Sequence, residues 1–155
     1  MAGPLTTGKV NTKSGIRKKR IAIIVADWNS EITEALYAAA LGTLLQHGLQ
    51  RSHLIRKNVP GTFELSLAAL WMAERKNIDA VICLGCVIQG ETPHFDYICQ
   101  GVTYGLTEVA LKTRKPVIFG VLTTLNSQQA LDRAGGKFGN KGEEAALTAL
   151  KMLSF

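Results

Sequence analysis

The run AVICLGCVI (Ala80 to Ile88), which passes through Gln89 into GETPHFDY (Gly90 to Tyr97), decides how this chain folds. Its first part is apolar almost without interruption, the pattern of a strand buried on both faces in a parallel sheet covered by helices. Thr92 suits an N-cap and Pro93 the first helical position, so the spacing predicts a helix from there. The unpaired N–H groups of that helix start, at the positive end of its dipole, favour an anion such as phosphate. His94 stands within one turn of that anion position, and histidine is the side chain most readily used to move a proton near neutral pH.

Outward from this run, strand and helix signals alternate, which predicts an α/β class with a parallel sheet between helical layers. Upstream, Ile21 to Ala26 reads as a β-branched strand, and Glu31 to His47 as an amphipathic helix stopped by Gly48. Ser52 to Val59 reads as a second strand broken at Pro60-Gly61, and Phe63 to Arg75 as its helix. Downstream of Pro93, the residues Phe95, Ile98, Val102, Leu106 and Val109 follow the spacing of a core-facing stripe, and that helix ends before Pro116. Val117 to Leu122 reads as the fourth strand. Ser127 to Arg133 and Lys141 to Leu153 read as helices separated by a glycine-rich turn, Gly135 to Gly139. The expected body is a three-layer sandwich with a four-stranded parallel sheet, one domain over 21–155. In such sheets ligands bind outside the carboxyl ends of the strands. Trp28 and Asn29, Gly61 to Glu64, Glu91 to His94, and Thr123 and Thr124 are all expected there, four loops on one edge.

At 155 residues and 46% apolar content the chain is long enough for one core and short for two. No apolar stretch nears the roughly 18 residues of a membrane span, and the amino terminus is polar and basic, so a cytoplasmic protein is expected. The net charge of +6 is concentrated in Lys9, Lys13, Arg17, Lys18, Lys19 and Arg20. It is read as a solvated, partly disordered arm over 1–20, and with no basic stripe elsewhere nucleic acid is not an expected partner. Cys83, Cys86 and Cys99 make an odd number and no disulfide framework. Cys83 and Cys86 spell C-x-x-C, but on a strand positions three apart point to opposite faces, so buried structural thiols are expected and no metal.

GETPHFDY, together with VPGTFEL (Val59 to Leu65), VIFGVLTT (Val117 to Thr124) and NKGEEAA (Asn140 to Ala146), resembles the lumazine synthase family, with the blocks in family order from about Ile21 to Met152. The resemblance implies a flavodoxin-like fold and the condensation of 5-amino-6-(D-ribitylamino)uracil with 3,4-dihydroxy-2-butanone 4-phosphate, in riboflavin biosynthesis, without a cofactor. It implies that His94 is the proton donor, that Glu91 and Thr92 line the phosphorylated substrate's pocket, and that Arg133 grips its phosphate. It also implies that Trp28 stacks on the pyrimidine, that Thr62, Phe63 and Glu64 hold the ribityl chain and pyrimidine, and that main-chain groups of Cys86, Val87 and Ile88 contact the ring. Phe119 reads as core from its mid-strand position, and only the resemblance makes it a pyrimidine-site residue. Lys141 reads as a polar helix start that touches the pyrimidine or closes the site. A homopentamer, or an assembly of pentamers, with active sites between subunits and the Phe119 and Arg133 side supplied by the adjacent chain, is a further implication.

Two departures from the family pattern are visible: Gln89 where many relatives carry a basic residue, and Cys86 where alanine is more frequent. Two rival readings remain open on these residues. One is a riboflavin synthase of the archaeal, lumazine-synthase-like type, against which the full VPGTFEL and GETPHFDY blocks stand. The other is a non-catalytic lumazine or flavin carrier, which intact His94 and Arg133 disfavour.

Overall fold

The computed structural model describes residues 15–155. A four-stranded parallel sheet runs in the order β2-β1-β3-β4, with β1 Ile21–Ala26, β2 Leu54–Val59, β3 Ala80–Ile88 and β4 Val117–Thr124. The strands alternate with α1 Ser30–Gln46, α2 Leu65–Ala73, α3 His94–Thr113, α4 Ser127–Leu131 and α5 Lys141–Leu153.

Strand alternation divides the core in two. Ile21, Ile23 and Val25 of β1, with Ile82, Leu84 and Cys86 of β3, face α1 and α5 through Leu36, Ala40, Leu44, Ala146 and Leu150. Ala22 and Ile24, with Val81 and Cys83, face α2 and α3 through Leu65, Ala69, Met72, Val102, Leu106 and Val109. Each central strand is therefore covered on both sides, which is why its sequence shows no polar alternation. The same alternation separates Cys83 from Cys86 into different cores, as the strand spacing predicts.

Burial in these cores pushes the Cys86 thiol from its ordinary 9.0 up to about 11, and Cys83 higher still. Because the folded values lie above the unfolded one, the stabilisation is complete below pH 9 and is lost as pH rises through the folded values. The paired variant Cys83→Ala/Cys86→Ala is expected to lose less stability than the unmodified protein between pH 8 and 11. The difference in slope is at most about 1.4 kcal/mol per pH unit for each thiol. Denaturant midpoints across that range measure it, and parallel profiles for the two proteins would contradict the burial argument.

Several boundaries differ from the sequence reading, each for a local reason. β4 runs two residues further, to Thr124, because Thr123 and Thr124 pair with Val87 and Ile88 and the Gln89 N–H donates to the Thr124 carbonyl at 2.9 Å. β2 starts at Leu54, after a 3-10 turn over Arg51–His53. Thr62 to Glu64 lie in the turn before α2, and α4 stops at Leu131 instead of Arg133. The glycine-rich turn is an antiparallel hairpin, β5 Ala134–Gly136 and β6 Gly139–Asn140. Of the basic arm read over 1–20, residues 1–14 lie outside the described residues. The rest packs on the body: Ile16 is buried, and Asp79 accepts from Lys19 Nζ at 3.0 Å and the Arg20 N–H at 2.8 Å.

α5 meets α1 at closest approach where it begins. Asn140 caps it by accepting from the Gly142 N–H at 2.8 Å, and Asn140 Nδ2 reaches the Ala35 carbonyl at 3.2 Å. Gly142 then lies against the backbone of Leu36, where a Cβ would fall on the carbonyl oxygen and 2.6 Å from its carbon.

Candidate active site

Chain order places the crossover from β1 to β2 on one side and β3 on the other, so the carboxyl ends of β1 and β3 border a topological switch point. A cleft of about 670 Å³ opens there. Trp28 and Asn29 enter it from the end of β1, Pro60 to Glu64 from the end of β2, Cys86 to Ile88 and Gly90 from β3, and Thr92, His94, Phe95 and Ile98 from the start of α3.

Asn29 holds the two sides of this crevice together. It adopts the left-handed conformation (φ 58°, ψ 46°), its carbonyl accepts from the Ile32 and Thr33 N–H groups, and its Nδ2 donates to the Cys86 carbonyl at 3.0 Å. The adjoining Trp28 N–H donates to the Pro60 carbonyl at 3.1 Å, which leaves the indole 73% exposed over the cleft. An aromatic so placed fills no core and offers its face to a flat ring.

The start of α3 differs in detail from the sequence reading. Pro93 occupies the cap position and His94 is the first helical residue; the cap makes no side-chain hydrogen bond, so Thr92 lines the cleft without capping. Among the described residues nothing accepts from the His94 or Phe95 N–H groups, so the helix start keeps the donors an anion would use. The His94 side chain is exposed and makes no hydrogen bond within the described residues. Phe95 and Ile98, assigned to the core by their spacing, are only half-buried and line the cleft, because the first turn of α3 projects past the sheet edge. Glu91 is exposed and lines neither this cleft nor the next.

Phe119, Arg133 and Lys141 lie elsewhere. They line a second, larger cleft of about 1060 Å³ along the edge strand β4, with Thr123, Thr124 and Glu144. The four strand-end loops therefore do not converge on one pocket: three meet at the switch point, and the β4 end belongs to the other cleft. Phe119 is 43% exposed, which corrects its reading as core, since among the described residues no strand pairs with β4 on its outer side. Arg133 Nη1 donates to the Gln129 carbonyl at 2.9 Å, and its guanidinium carbon lies 4.9 Å from the centre of the Phe138 ring. Lys141 pairs with Glu144 at 2.7 Å. The Thr124 hydroxyl is buried there with no hydrogen-bond partner among the described residues.

Gln129, Glu144 and Phe138 were given no role by sequence reasoning, and Asn29 was placed on the ligand edge without the clasp it makes. Phe138 carried a usable signal, because an aromatic inside a short glycine-rich turn has no core to fill; the others needed the fold. Among the described residues there is no cluster of three or more His, Cys, Asp or Glu side chains placed to hold a metal, and no helix long and apolar enough to cross a membrane.

The family model described as 6,7-dimethyl-8-ribityllumazine synthase matches residues 18–155. A 6,7-dimethyl-8-ribityllumazine synthase of Cytophaga hutchinsonii is 68% identical over 132 residues, covering 85% of this chain and 83% of the relative. One from Porphyromonas gingivalis is 59% identical over 133 residues (86% and 83% covered), and one from Parabacteroides distasonis is 52% identical over 145 (94% and 91%). With the match spanning both clefts and both cores, the chain belongs to the 6,7-dimethyl-8-ribityllumazine synthase family.

Proposed function

We propose that the two clefts are halves of one active site, completed between neighbouring copies of this chain, in which 5-amino-6-(D-ribitylamino)uracil condenses with 3,4-dihydroxy-2-butanone 4-phosphate. The observation that carries this reading is the meeting of Trp28, the Thr62 to Glu64 turn, His94 and an unsatisfied helix start in one cleft, while Arg133 and Phe119 sit in another. The pyrimidine stacks on Trp28, and Thr62 to Glu64 hold its ribityl chain. The phosphate rests on the Thr92–Phe95 helix start and is gripped by Arg133 of an adjacent copy, whose planar fork suits a bidentate contact.

The amine attacks the ketone, water leaves to give an imine, phosphate is eliminated, and ring closure with loss of water gives the lumazine. Such steps need positioning and proton transfer more than a covalent nucleophile. His94 moves protons during imine formation and elimination, while Arg133 and the helix start stabilise the departing phosphate. A ring of five copies, alone or built into larger shells, supplies the neighbouring edge, with the cytoplasm as its compartment.

Lumazine absorbance and phosphate release, followed on mixing both substrates, test the reaction; no turnover by the unmodified protein would overturn it. The shared site has its own test. His94→Ala and Arg133→Ala should each be nearly inactive, but refolded together in equal amounts they should recover about a quarter of full activity, since half the sites receive an intact His94 and half of those an intact Arg133. No recovery from a mixture shown to co-assemble would exclude a site shared in this way.

A further inference from the structure

We propose that Phe138 is a positioning residue for Arg133: its ring is the shelf that holds the guanidinium in the orientation that receives the substrate's phosphate. The inference rests on the assignment of Arg133 to that phosphate.

The hairpin between α4 and α5 is built to bring this ring back over the arginine. Gly136 packs so closely on the end of α4 that a Cβ would lie 2.8 Å from the Asp132 Cα and 2.9 Å from the Leu131 carbonyl oxygen. Gly135 and Gly139 take positive φ of 117° and 75°, which turns the strand back within a few residues. The Phe138 N–H then donates to the Asp132 carbonyl at 2.7 Å, and the Lys141 N–H to the Arg133 carbonyl at 2.9 Å. These bonds fix the ring's backbone against the residue before Arg133 and tie Arg133 itself to the start of α5.

The ring is 47% exposed and belongs to neither core, so packing does not explain it. What it meets is charge: the Arg133 guanidinium carbon lies 4.9 Å from its centre and Lys137 Nζ 5.3 Å. A cation over an aromatic face is held by its charge, and the ring supplies no conventional hydrogen-bond acceptor. One N–H is spent on the Gln129 carbonyl at 2.9 Å. The remaining edge is left for a planar, bidentate acceptor, and the freedom of a long side chain is reduced before substrate arrives. Phe138 thus acts through Arg133 without touching substrate.

The test compares Phe138→Leu, which keeps apolar bulk but no π face, with Phe138→Tyr, which keeps the face. Phe138→Leu is expected to raise KM for the phosphorylated butanone about two- to fivefold and to weaken inorganic phosphate binding by a similar factor. The KM for the pyrimidine and the melting temperature should stay unchanged, and Phe138→Tyr should restore the unmodified values. In an Arg133→Ala background the Leu substitution should add nothing. If Arg133→Ala raises that KM but Phe138→Leu does not, or if the two effects add fully, the shelf is overturned while the phosphate assignment stands. If Arg133→Ala itself leaves the phosphate KM unchanged, the assignment falls and the shelf with it.

Discussion

His94→Ala is expected to lower kcat by about 10²- to 10⁴-fold, the usual contribution of one positioned acid–base group, with KM for either substrate changed only a few-fold. The imidazole is exposed at the first residue of α3 and has no hydrogen-bond partner within the described residues, so its removal breaks no hydrogen bond among them. His94 shares its cleft with Trp28 and begins the helix whose first two N–H groups have no acceptor among the described residues, and in the proposed reaction it passes protons at the imine nitrogen and at the carbon next to the phosphate ester. His94→Gln, which retains a polar side chain of similar reach but cannot shuttle a proton at neutral pH, should be nearly as slow as alanine. Single-turnover rates with both substrates saturating separate this from a binding defect. A kcat within threefold of the unmodified protein would remove His94 from the chemistry.

The largest expected effect on stability is Gly142→Ala. A methyl group there collides with backbone, the Leu36 carbonyl, and backbone in the middle of α1 cannot swing aside as a flexible side chain could. The α1–α5 pair must separate, opening the core that holds Leu36, Ala146 and Leu150 and straining the Asn140 tie to Ala35. The expected cost is on the order of 4 kcal/mol, which for a domain of this size lowers the melting temperature by roughly 10 °C. Gly42→Ala is the matched control. It lies in α1, the helix that Gly142 of α5 packs against, with nothing within 4 Å of where its methyl group would sit, and should stabilise by about 0.5–1 kcal/mol through helix propensity. Thermal melts of both variants would check the pair, and equal melting temperatures would contradict the close-approach argument.

Much of the fold is legible in the sequence because pattern and burial coincide. β1 and β3 are buried on both faces, so their apolar runs mark their ends, Ile21 and Ala26, Ala80 and Ile88, without tertiary knowledge. Thr123 and Thr124 do not read as strand because their polarity suggests a loop, while the pairing that keeps them extended comes from β3, far away in sequence. Phe95 and Ile98 obey the helical stripe, yet a stripe records only which side of the helix they occupy and not whether the sheet extends far enough to cover them. Phe119 shows the converse: on an edge strand a mid-strand aromatic can lie outside the cores while Ile118 and Leu122 beside it are buried, and strand order is not written in local sequence. For the site, residue types and spacing point to Trp28, Thr62 to Glu64, Thr92 and His94 as one group. That Arg133 and Phe119 line a separate cleft is not written in residue type or spacing; the family resemblance implies it, and the three-dimensional placement shows it.

The bond from Asn29 to the Cys86 carbonyl restricts what evolution can write at that position. Left-handed backbone is comfortable chiefly for glycine, asparagine and aspartate. Glycine takes the shape but leaves the far strand unheld, and aspartate sets an acceptor against an acceptor. Of these three letters only asparagine provides both the bend and the clasp.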